Sequence, residues 1–160
     1  MKQNRSAPHR LRIPSPLSPE LDQLVYDVIG VGMRVHSSLG PGLLESTYTE
    51  AFVVELARQG IAYEREVSVQ IEYEGRPIKR GRLDLVIEKQ VIVELKTVSQ
   101  LHSIHSSQML TYLRATGYPV GIILNCHEQH LRDGIRRHVL KPAKARRCVG
   151  MNGREEEQTR

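Results

Sequence analysis

The sequence predicts an α/β domain with a mixed central sheet, in the order α-α-β-β-β-α-β-α. Three observations carry this reading. Apolar residues recur at helical spacing up to about residue 58, then switch to strict alternation from Val67 onward. Three short runs, residues 83–87, 91–95 and 120–124, are apolar at nearly every position, as central strands buried on both faces are. A helical stretch lies between the last two of these runs, so strands and helices interleave in one layered domain.

Each element has a local reason. Ser18-Pro19-Glu20 is a helix start, with a capping hydroxyl, proline at the first helical position and an acid in the first turn. Leu21, Leu24, Val25, Val28, Val35 and Leu39 then follow at helical spacing, and Gly40-Pro41-Gly42 stops the helix. A second helix spans about residues 43–58 and ends at Gln59-Gly60. Val67, Val69, Ile71 and Tyr73 alternate with polar residues as a half-buried strand. Glu74-Gly75-Arg76-Pro77 is a turn. Two strands, residues 82–87 and 91–96, flank the loop Glu88-Lys89-Gln90. Residues 104–116 are helical and end at Gly117, 120–124 form a short strand, and 128–140 read as a weak helix.

The 160 residues carry 23 Lys+Arg against 18 Asp+Glu, a formal +5. Residues 1–17 contribute +4 and 141–160 contribute +3. Both stretches are polar and poor in apolar residues, and are expected to be flexible tails, the first basic. The domain is residues 18–140, with 13 Lys/Arg against 15 Asp/Glu. The basic excess therefore belongs to the tails and is no evidence that the domain binds a polyanion. No apolar run approaches the ~18 residues of a membrane span, and residues 1–16 lack the apolar stretch of a secretory signal. Cys126 and Cys148 make no disulfide framework and suit a reducing compartment, so a cytoplasmic location without membrane association is expected. Neither a phosphate-binding P-loop nor a G-x-G-x-x-G or G-x-S-x-G motif is present.

Chemistry concentrates in Leu83-Asp84-Leu85-Val86-Ile87 and Val91-Ile92-Val93-Glu94-Leu95-Lys96. Here an Asp and a Glu-x-Lys interrupt strands that otherwise want burial, and a buried charge costs several kcal/mol unless it is paired or metal-bound. Glu94 and Lys96 stand two apart and share a face. A three-residue loop pairs Ile87 with Val91, Leu85 with Val93, Asp84 with Glu94 and Leu83 with Leu95, giving one wholly apolar face. A two-residue loop puts charges on both faces, so the hydrophobic pattern favours the first register. Adjacent carboxylates repel and raise a pKa; a hard divalent cation such as Mg²⁺ or Mn²⁺ removes that cost. Lys96 beside them can orient a water or offset charge on a phosphate. The competing reading is a structural ion triad in which nothing reacts. Gln108 and Tyr112 lie at i, i+4 on one face of the following helix, and Glu45 opens the second helix.

The stretch from Val35 to Tyr48, with Gly42, Glu45 and Tyr48 at the naming positions, resembles the GxxExxY protein family. The resemblance continues through Asp84-Leu85, Val93-Glu94-Leu95-Lys96 and Gln108 to Leu113, and ends near Gly121–Asn125 and Gly134–Arg137. It covers nearly all of residues 18–140. That family is grouped with the PD-(D/E)xK nucleases, which implies a restriction-endonuclease-like α-β-β-β-α-β core. By motif position, Asp84, Glu94 and Lys96 are the catalytic acid, acid and lysine, and Leu83 replaces the proline of the signature. Gln108 and Tyr112 match a Gln-x-x-x-Tyr helix, and Glu45 matches an acid of the leading helix that serves as a further metal ligand. The resemblance implies Mg²⁺- or Mn²⁺-assisted hydrolysis of phosphodiesters in nucleic acid, DNA first, with Asp84, Glu94 and the Leu95 carbonyl on the metal. The alternative on the same fold is a non-catalytic nucleic-acid-binding or accessory module. Cys126-His127-x-x-His130 suggests a fragment of a zinc site, with Cys148 and His138 as fourth-ligand candidates only by proximity, and reads as a surface loop with two solvated histidines. His36 is expected to make a hydrogen bond inside the helix pair, and His102 and His105 to be ordinary residues at a helix start.

Overall fold

The computed structural model of the protein describes residues 15–140. Helix α1 (Pro19–Leu39) starts where Ser18 Oγ accepts the Leu21 N–H at 3.3 Å, and ends at Gly40, whose φ of 69° returns the chain. Helix α2 (Glu45–Arg58) follows after the Gly-Pro-Gly turn. Strands β1 (Tyr63–Tyr73) and β2 (Arg76–Ile87) form a long antiparallel hairpin, and β3 (Val91–Lys96) folds back on the end of β2. Helix α3 (Ser103–Thr116) carries the chain across to β4 (Val120–Asn125), which lies parallel to β3. The five strands stand in the order β1-β2-β3-β4-β5, and only the β3–β4 pair is parallel.

Helices α1 and α2 cover one face of the sheet through Val25, Val28, Phe52 and Leu56, which meet Leu85, Val93, Leu95 and Ile122. Helix α3 covers the other, where Met109, Tyr112 and Leu113 meet Val69, Leu83, Ile92 and Ile123. The mixed α/β architecture is that of the restriction-endonuclease-like fold. Among the described residues no helix is long and apolar enough to cross a membrane. Most of the two expected tails lies outside the described residues. Leu17 packs on the core, and Ser15 Oγ and Arg137 both bond to Asp22 Oδ1, at 2.7 and 2.8 Å.

Two expectations are corrected. Residues 128–140 are not an α-helix: a 3₁₀ turn, Leu131–Gly134, leads into strand β5 (Ile135–Val139), antiparallel to β4. The open edge of β4 offers unpaired backbone groups, and pairing with them outweighs a weak helical pattern. The second correction concerns register. Leu85 pairs with Val93 and Ile87 with Val91, as the three-residue loop requires, but the β2–β3 ladder stops there. Leu83 does not share an apolar face with Leu95; it packs under α3, whereas Leu85 and Leu95 pack under α1 and α2. Strand β1 makes the same reversal, with Tyr63 on the α1–α2 side and Val67 and Val69 on the α3 side. Both reversals fall at one rung: Arg65 pairs with Leu85 and Val67 with Leu83, while Glu66 and Asp84 between them are unpaired and Glu66 has a φ of 50°. A residue in the left-handed region breaks the pleat, so the side chains beyond it change face.

Contact between α3 and β4 is tight at Gly121, where a Cβ would stand 2.2 Å from Met109 Sδ and 2.7 Å from its Cγ. Gly121→Ala is expected to destabilise the protein by about 1–3 kcal/mol through overpacking, read as a lower midpoint in chemical denaturation. An unchanged midpoint would refute this packing.

Candidate active site

Three elements meet where β2 and β3 part. On β3 the residues Val93 and Leu95 turn into the α1–α2 core, so Glu94 and Lys96 between them take the opposite side. Lys96 Nζ lies 3.0 Å from Glu94 Oε1, and the Glu94 side chain is only 9% exposed. On β2, Asp84 fills the place of the missing rung: its Oδ2 accepts the Leu95 N–H at 3.3 Å. The expected direct pairing of Asp84 with Glu94 in the ladder does not form; the Asp84 carboxylate meets the β3 backbone instead.

The third element is α2. Tyr48 is fully buried; its hydroxyl donates to the Gly40 carbonyl at 2.5 Å and accepts the Leu43 N–H at 3.3 Å. Tyr48 thereby clamps the Gly40-Pro41-Gly42 turn, and Gly42 supplies its φ of 101°. The turn delivers Glu45 as the first residue of α2, at the positive end of the helix dipole. Glu45 Oε1 reaches to 3.9 Å from Lys96 Nζ. The Gly42-x-x-Glu45-x-x-Tyr48 spacing therefore has a structural reason: turn, carboxylate and clamp.

Electrostatics at this point are coupled. Burial pushes the Glu94 carboxyl above its ordinary range; Lys96 works against this, and the charges of Asp84 and Glu45 add to it. Glu45 is raised in the same way, by burial first, with Lys96 opposing and Asp84 reinforcing. Burial disfavours the Lys96 ammonium, but Glu94, Glu45 and Asp84 together outweigh it and hold the lysine above its usual value. Three carboxylates thus share one ammonium.

A family model for the PD-(D/E)XK nuclease superfamily matches residues 22–138, from the first turn of α1 to β5. The chain belongs to the PD-(D/E)XK nuclease superfamily. Searches of curated proteins and of solved structures return no match. Nucleases of this superfamily generally use divalent metals, and the donor set here fits one in kind: hard carboxylate oxygens that feel one another's charge, around a lysine that supplies the compensating charge. Among the described residues no three His, Cys, Asp or Glu side chains stand close enough to form a ready-made metal cluster.

In this superfamily domain the other expected site residues do not join the cluster. Gln108 Nε2 donates to the Tyr112 hydroxyl at 2.7 Å. Tyr112 packs over Gly81 of β2, where a Cβ would stand 2.7 Å from its ring. Among the described residues neither bonds to Asp84, Glu94 or Lys96. Asn125, by contrast, is a structural residue of this region that no motif marks. It is fully buried opposite Lys96; its Oδ1 accepts the Val98 N–H at 3.1 Å and its Nδ2 donates to the Val98 carbonyl at 2.8 Å. It ties the chain leaving β3 to the end of β4, and a lone amide closing the run Ile122-Ile123-Leu124 was its signal.

Three side readings are revised. His36 stacks on Tyr48 at 6.5 Å between ring centroids, and its buried Nε2 has no hydrogen-bond partner among the described residues. His105 is not an ordinary first-turn residue, since its Nδ1 accepts the His102 N–H at 3.0 Å and caps α3. Cys126 is buried rather than on a surface loop, and burial, then the charge of Glu45, pushes its thiol up to about 12. A protonated thiol is a poor metal ligand. His127 and His130 are exposed, and Cys148 lies outside the described residues.

The raised Glu94 carboxyl fixes a sign. The folded state holds this proton more tightly than the unfolded chain, so the stability it confers is present below the ordinary Glu value of 4.5 and is lost as pH rises through the folded value. Glu94→Gln is therefore expected to melt higher than wild type at pH 7 in chelator, with the difference closing below about pH 4.5. Thermal denaturation across pH checks this; a lower melting point at pH 7 would identify the ionised triad as a net structural stabiliser.

Proposed function

We propose that the chain is a Mg²⁺-dependent, or Mn²⁺-dependent, nuclease that hydrolyses phosphodiester bonds of nucleic acid, with DNA as the first substrate and RNA as the alternative. One observation carries the reading: Glu94 and Glu45 pair with the Lys96 ammonium at the opening between β2 and β3, with Asp84 on the Leu95 N–H beside them, inside a domain of this superfamily. The Gly42-Glu45-Tyr48 turn supports placing it in the GxxExxY branch.

Asp84, Glu94 and the Leu95 carbonyl would hold the metal, and Glu45 a second ion or a metal-bound water. The Leu95 N–H points at Asp84, and a residue's N–H and C=O leave a strand on the same side, so this carbonyl faces the open fork. When bound, the ion supplies Lewis acidity and a water of lowered pKa. Lys96 keeps its proton under the influence of the carboxylates. It therefore acts as a fixed positive charge that orients the attacking water or offsets the charge growing on the phosphate. Tyr112, locked over Gly81, holds Gln108 in place, and the pair positions the strand or Lys96 rather than exchanging protons.

Purified protein with Mg²⁺ or Mn²⁺ is expected to cut DNA or RNA, and Lys96→Ala to lose at least about 10²-fold of the rate while keeping its circular dichroism spectrum. Equal cutting by the two proteins would overturn the proposal. So would a wild type that cuts neither single- nor double-stranded DNA or RNA with either ion.

A further inference from the structure

The β1–β2 hairpin reaches well beyond the sheet. The β2–β3 ladder begins only at Leu85, so residues 76–82 pair with β1 alone and form an arm. One face of the arm carries Val67, Val69 and Ile71 under α3. Cross-strand partners share a face, so Ser68 with Arg82 and Gln70 with Arg80 make up the other. All four residues are exposed. Residues 76–82 hold Arg76, Lys79, Arg80 and Arg82 and no acid, although residues 18–140 as a whole are net acidic. Across the whole hairpin arm, residues 67–82, these four cations face two acids, Glu72 and Glu74, which leaves a local basic excess that whole-domain charge conceals.

The patch leads to the site. A cleft of about 190 Å³ is lined by Arg65, Arg82, Glu50 and Glu66 together with Glu45 and Asp84. Arg82 meets Glu66 at 3.5 Å with both side chains about two-thirds exposed, and Arg65 pairs with Glu50. Exposed pairs of this kind are worth little, so they hold the guanidinium groups in place and exchange readily for phosphate. Arg80 makes no ion pair among the described residues. Alternate strand residues stand about 6.8 Å apart, so Arg80 and Arg82 form a short row of positive charge along the arm.

We infer that the outer face of the β1–β2 arm is a phosphate track, on which Arg80 and Arg82, continued by Arg65, hold the sugar–phosphate backbone of a nucleic-acid strand and lead it to Glu45 and Asp84. This rests on the nuclease reading for what happens at the end of the track, but binding is testable without cleavage. The probe is a fluorescein-labelled DNA oligonucleotide, single-stranded or duplex, titrated by anisotropy in EDTA over a range of salt. Arg80→Gln/Arg82→Gln is expected to weaken binding and to reduce the slope of log K against log salt by about 1.4 to 1.8, two contacts at 0.7 to 0.9 each. Arg80→Lys/Arg82→Lys keeps the slope, because lysine neutralises phosphate equally. Arg58→Gln/Arg132→Gln removes the same charge from exposed positions elsewhere and leaves the slope unchanged.

A wild-type slope in Arg80→Gln/Arg82→Gln, or an equal loss in Arg58→Gln/Arg132→Gln, overturns the track. Neither result bears on Lys96, so the track and the catalytic proposal fail separately.

Discussion

A carboxylate cannot lie inside a continuous apolar ladder, and Asp84 forces the issue. It sits between Leu83 and Leu85, two side chains that both need a core. In a regular strand both would face the same way and Asp84 would point into the opposite core. The sheet instead breaks at this one rung, with Glu66 across from it in a left-handed conformation, and each strand changes sides. Leu83 goes under α3 and Leu85 under α1 and α2, so both leucines are buried and Asp84 is left at an opening. The same break ends the β2–β3 ladder, frees the backbone of Leu95 and releases the rest of the hairpin as an arm.

The charged groups of the candidate site are arranged around that opening. Strand β3 brings Glu94 and Lys96 because alternation with Val93 and Leu95 leaves them nowhere else to point. Helix α2 brings Glu45 because Tyr48 clamps the turn before it. The result is an excess of negative charge on partly buried groups, with burial pushing Glu94 and Glu45 up and Lys96 held protonated among them. Such a site is unfavourable for the folded chain taken alone, and the proposed metal ion would offset that excess charge. The Arg65 and Arg82 guanidinium groups on the neighbouring wall extend the same logic outward.

Much of this was legible in the sequence. Period and punctuation located three helices and four of the five strands, because caps such as Ser18 and Gly117 and apolar runs such as residues 120–124 act locally. Asp84, Glu94 and Lys96 were visible as charges where hydrophobic strands should have none. Strand β5 was not legible, since Ile135–Val139 takes its conformation from the open edge of β4. The basic arm was hidden for a different reason: Arg80 and Arg82 become one face only once Gln70 and Ser68 are paired with them.

By itself, then, the sequence determined the layered α/β class, the hairpin loop that sets Leu85 against Val93, and the residues that carry charge into the core. These follow from side-chain periodicity and turn chemistry, which act over a few residues. Only the tertiary structure decided that Asp84 meets the Leu95 backbone rather than the Glu94 carboxylate, that Glu45 reaches Lys96 from another element, and that Arg82 of the arm borders the same cleft as Arg65. Those are contacts between distant segments, and their outcome depends on which of two cores each leucine enters.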